Sequence, residues 1–161
     1  MYTQRVQTII DDPLGGRSEQ EVRALVASEG AAEALGHPPL DFLLERYMEH
    51  EQLDREEALA VFEETKRFLV LGSQLDMNFA PSVPVDRFWH EWMLFTDDYH
   101  TFCHPLGGYI HHTPIPKGSD DQPPLEPTVV AMTVAYGEVS DRCWPVALGA
   151  SGIMDCCMGP W

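Results

Sequence analysis

The chain has 161 residues, enough for one domain that buries a core without disulfide staples. Asp and Glu outnumber Lys and Arg by 26 to 10, a formal charge of -16, and this surface repels phosphate backbones and anionic lipid, which argues against nucleic-acid and membrane partners. No apolar run approaches the roughly 20 residues that span a bilayer, and residues 1–13 lack a signal-peptide pattern. A cytoplasmic protein is therefore expected, with Cys103, Cys143, Cys156 and Cys157 as thiols or metal ligands rather than a disulfide framework.

Residues 1–17 hold one short apolar stretch, Val6, Ile9 and Ile10, followed by the breaker run from Asp11 to Arg17. Ser18 with Glu21 three residues later has capping-box spacing and predicts a helix from there to about Gly36, with Val22, Leu25, Val26 and Leu35 on one face. His37-Pro38-Pro39 ends it, and Pro39 suits the first turn of the next helix, which buries Leu40, Leu43, Leu44, Tyr47 and Met48 and stops near His50. Asp54 and Glu57 repeat the capping spacing and open the longest predicted helix, to about Leu75, with Leu59, Val61, Phe62, Thr65, Phe68, Leu69 and Leu71 at helical intervals. Residues 76–84 form a loop. A fourth helix is predicted from Val85 or Asp86 to about Cys103, where Pro105 and Gly107-Gly108 stop it. The Pro-rich residues 115–127 read as a linker, Thr128 to Val139 as a short last helix, and the remainder as a small-residue tail with Cys156-Cys157. The expected architecture is all-α, a compact bundle of four to five helices, organised as a helical domain over 1–114, the linker over 115–127, and the short helix with its irregular tail over 128–161.

The chemistry-bearing residues concentrate between Asp86 and Pro114, which hold five of the seven histidines. Imidazole and thiolate bind transition metals well, and the neighbouring Trp and Tyr are suited to walling in a dry site. On one continuous helix, at about 100° per residue, His90, Asp97, His100 and His104 share an arc of roughly 80°, with Asp86 on the same face and Cys103 turned away. At about 1.5 Å of rise per residue, His90 and His104 would lie roughly 21 Å apart, too far to share one ion. His100 and His104 have the i, i+4 spacing by which helices chelate zinc, and Asp97 is placed as a third ligand or as a group that orients an imidazole. The turn at Gly107-Gly108 can fold Tyr109 to His112 back against the helix end, and one of His111 and His112 would then face it. A site of His100, His104 and one of that pair, with Asp97 or Cys103 nearby, suits zinc, and iron or copper as well. The plainer reading of His90 is a buried imidazole hydrogen-bonded to Asp86, one turn before it.

Val85, Asp86, Trp89, His90, Thr96, Tyr99, Phe102, Cys103, Gly107, His111, His112 and Pro114, with Pro81-Ser82 and the Lys66 to Ser73 stretch before them, resemble the motif region of the glycine-rich domain-containing protein family. Thr128 to Gly137, Trp144 and Cys156-Cys157 fit the outline of its bacterial members. The resemblance implies a site drawn from His90 or Cys103 with His111 or His112, with Asp86 and Tyr99 among the matching positions. His100 and His104 are not part of that motif. The family supplies no reaction.

Three functions follow from these residues. The first is a metal-binding helical domain with a structural or interaction role, holding zinc, or iron or copper. The second is a small metal-dependent enzyme of hydrolytic or oxygen chemistry, with an open position on the ion. The third is a folded carrier whose Cys156-Cys157 tail is post-translationally modified by a partner enzyme; alternatively that tail, with Cys143, adds thiolate ligands to the metal site.

Overall fold

The computed structural model describes residues 9–113 and 124–145. Seven α-helices and one 3-10 turn make up the described residues, which contain no strand, so the fold is all-α. They are α1 (Glu19–Val26), α2 (Glu29–Leu35), α3 (Asp41–Glu51), α4 (Arg55–Leu75), α5 (Val83–Leu94), α6 (Thr96–Cys103), the 3-10 turn His104–Leu106, and α7 (Glu126–Tyr136).

Local chemistry sets several of these boundaries. Ser18 accepts from the Glu21 amide and the Glu21 carboxylate accepts from the Ser18 amide, so both halves of the capping box at α1 are made. Asp54 and Glu57 do the same at α4. The single helix predicted over 18–36 is two helices. Ser28 caps α2 through its hydroxyl, which accepts from the Ala31 amide, and so the chain restarts at Glu29. The helix predicted over 85–103 is also two. It begins earlier, behind Ser82 and with Pro84 in its first turn, and breaks at Phe95, whose ψ of 64° is not helical. Asp97 and Asp98 then supply the acidic first turn that a helix N-terminus favours. Asp98 also reaches across the break, accepting from the Trp92 indole at 2.7 Å and standing 3.2 Å from His37 Nε2.

α4 is the central element. From Glu64 to Leu71 every residue but Arg67 is buried, which no amphipathic surface helix shows. α1, α2, α3, α5 and α7 all pack on it. Two charged side chains of α4 are buried with partners. Lys66 donates to the Leu35 and His37 carbonyls at 2.7 and 2.9 Å, satisfying the C-terminal end of α2. Glu64 accepts from the Trp144 indole at 2.8 Å and pairs with Arg67.

Behind α5 lies an aromatic core in which Phe62, Phe88, Trp92, Tyr99 and Phe102 are fully buried. α2 meets the 3-10 turn so closely that a Cβ on Gly30 would collide with the Pro105 carbonyl oxygen. Gly107 ends the turn at φ 96°, in the left-handed region that glycine adopts freely.

The predicted last helix is two residues longer at its start, with Glu126 and Pro127 in its first turn, and stops at Gly137 rather than Val139. Thr128 donates to the Ala80 carbonyl, and Tyr136 donates to that of Arg67. Most of the predicted linker, at 115–123, and the Cys156-Cys157 tail lie outside the described residues.

Candidate metal centre

The site begins as a helix-face relation. Asp86 and His90 are four residues apart on α5, so their side chains are neighbours one turn apart. Asp86 is buried beside the aromatic core, and His90 is half-buried toward solvent. Backbone chemistry orients the imidazole: His90 Nδ1 stands 2.7 Å from the Asp86 carbonyl oxygen, the contact of a donated hydrogen bond. With the proton on Nδ1, the Nε2 lone pair is left for another partner.

The third member comes from outside the helix. The Trp89 indole donates to the Tyr99 hydroxyl at 2.8 Å, and that hydroxyl donates to the Ile110 carbonyl at 2.7 Å. This relay ties α5, α6 and the segment after the 3-10 turn together. Two residues past Ile110, His112 Nε2 lies 2.8 Å from Asp86 Oδ1. The His112 ring is edge-on to Trp89 at 4.5 Å and 4.3 Å from the His90 ring, centroid to centroid. Ligand atoms of Asp86, His90 and His112 all fall within 4.8 Å of one another, so the three can hold a metal ion.

Electrostatics tie the three side chains together. Burial pushes the Asp86 carboxyl up, but the hydrogen bonds and charges of His112 and His90 outweigh it and hold the group far below the usual carboxylate range. The Asp86 carboxylate in turn raises His90 above its ordinary value, against the opposing effect of burial. Ligands held about 2.0–2.2 Å from one ion in tetrahedral geometry sit about 3.3–3.6 Å from each other. The Asp86–His112 separation of 2.8 Å is that of a direct hydrogen bond, and the pair has to open by about half an ångström to share an ion.

The other expected residues are placed differently. His100, His104, His111 and Asp97 are exposed, and no metal-capable group among the described residues includes them. The break at Phe95 removes the continuous helix on which Asp97, His100 and His104 shared a face with His90. His111 rests against Tyr109, with ring centroids 4.9 Å apart. Tyr99 sits in the relay. Cys103 is buried next to it; burial pushes its thiol up, partly offset by the Ile110 amide and by its contact with the Tyr99 hydroxyl. Cys143 is buried in the Ser140–Trp144 turn against α4, and burial raises its thiol too. Asp86, expected to orient a histidine, stands within the ligand group itself; its i, i+4 spacing to His90 was the available signal.

No helix among the described residues is long and apolar enough to cross a membrane. No curated protein and no solved structure matches the chain. Over residues 40–121, about half its length, it matches the model of the family described as UCP032817-like. That family is a domain of unknown function, and the match does not carry the glycine-rich designation to which the motif residues pointed. Asp86, His90, the Trp89–Tyr99–Ile110 relay and His112 all fall inside the matched residues, and the chain belongs to the UCP032817-like family.

Proposed function

We propose that this is a metal-binding helical domain in which one transition-metal ion, zinc in the first instance, is held by Asp86, His90 and His112. The observation that carries this reading is the convergence of two imidazoles from different parts of the chain on one buried carboxylate. Zinc accepts nitrogen and carboxylate oxygen together, and iron and copper accept the same set. The ion clamps the segment after the 3-10 turn onto α5. In the unfolded chain His112 is 22 residues from His90, so ion binding favours the folded state.

The test is elemental analysis of protein purified without chelator, alongside the Asp86→Asn and His112→Ala variants. Roughly one ion per chain is expected in the wild type and a loss of most of it in both variants. Wild-type protein that stays metal-free after zinc, iron and copper are each offered and the excess removed would overturn the reading. A His100→Ala, His104→Ala double variant keeps its ion, which separates this site from a helical histidine pair.

A further inference from the structure

We propose that the ion held by Asp86, His90 and His112 keeps coordination positions open to a small exogenous ligand, and that with iron(II) the centre binds a diatomic molecule of the dioxygen class. This rests on the metal-binding reading above and goes beyond it by assigning a ligand. The set is two histidines and one carboxylate, the combination that leaves adjacent positions free on iron(II).

Three observations support open positions. First, among the described residues no fourth His, Cys, Asp or Glu joins the group. The nearby candidates are committed elsewhere: Tyr99 to Trp89 and Ile110, and Cys103 to contacts with Tyr99 and the Ile110 amide. Second, burial is lopsided. The Asp86 and His112 side chains are 5% and 8% exposed, whereas His90 is 30% exposed. The protein thus covers the ion from the Asp86 and His112 side and leaves the His90 side toward solvent. Third, the Ser82 hydroxyl, one turn before Asp86, is buried without a hydrogen-bond partner among the described residues. A buried hydroxyl with no partner is rare in a folded protein.

The experiment loads the full chain with iron(II) under anaerobic conditions, measures bound iron, and then adds nitric oxide, a stable stand-in for dioxygen. Stoichiometric iron and a half-integer-spin iron–nitrosyl signal in electron paramagnetic resonance, equal in amount to the iron, are expected. Loss of both in Asp86→Asn and their retention in His104→Ala assign the signal to this centre. Bound iron with no nitrosyl signal overturns the open positions while leaving the metal site standing. Absence of any bound iron, zinc or copper overturns the metal site itself. A signal that survives undiminished in both Asp86→Asn and His112→Ala places the ligand elsewhere and also overturns the proposal. The wild-type arms do not depend on any variant folding.

Discussion

A carboxylate buried on a helix face costs several kcal/mol to desolvate unless charge or hydrogen bonds meet it, and at Asp86 two imidazoles do so. What places the second imidazole is a residue that binds nothing itself. Tyr99 spends its hydroxyl on the Trp89 indole and the Ile110 carbonyl, with burial pushing its pKa well above the ordinary range. Tyr99→Phe leaves both partners unsatisfied and frees the segment that carries His112. We expect metal affinity to fall about tenfold or more, the size seen for groups that orient ligands, with stoichiometry restored at high metal; competition titration with a chromophoric chelator reads this. The thiols make a second residue-scale prediction. Burial raises both Cys103 and Cys143, so little thiolate is present near neutral pH. In a chain carrying Cys156→Ser and Cys157→Ser, neither remaining thiol should react with an aromatic disulfide reagent until denaturant is added. Fast reaction of either in the native state would contradict its burial.

Elements meet at positions where one atom decides the approach. Gly30 in α2 lies against the Pro105 carbonyl, with no room for a side chain. Gly30→Ala gains helix propensity of up to about 1 kcal/mol, but must push the 3-10 turn away, and overpacking of this kind costs about 1–3 kcal/mol. A net loss of stability in urea denaturation is expected, together with weaker metal binding, because the displaced turn leads directly to Ile110 and His112. Unchanged stability would mean that the two elements do not pack as closely as the structure has them. The elements also show what sequence reasoning reaches. Capping boxes at Ser18 and Asp54 span three residues and are legible by eye. The same chemistry at Ser28 is present in the sequence but is masked by the apolar pattern that runs through it. The break at Phe95 had weaker local marks, and the bridge from Asp98 to Trp92 and His37 that spans it is a tertiary contact.

At the scale of the whole molecule, the proposed metal site links binding to folding. Free metal at one hundred times its Kd adds about 2.7 kcal/mol to the stability of the state that binds it. For a domain of this size each kcal/mol is worth about 2–4 °C in Tm. Chelation should therefore lower Tm by roughly 5–10 °C from that of metal-loaded protein, and Asp86→Asn should show no such dependence. A chelator-insensitive Tm in wild type with bound metal would place the ion outside the cooperative unit. The acidic balance of -16 also belongs to this scale: it favours capture of cations, an effect that weakens with added salt.

By itself the sequence determined the all-α class, most helix starts, the apolar faces of α3 and α4, and the pairing of Asp86 with His90 on one helix face. Each of these depends on hydrogen bonds and side-chain spacing within three or four residues. Only the tertiary structure decided that α5 ends at Phe95, that His100 and His104 stay exposed, and that His112 rather than His111 meets Asp86. That last choice spans 26 residues. It depends on Gly30 seating the 3-10 turn and on the Tyr99 hydroxyl fixing Ile110, contacts that exist only once separate helices have packed.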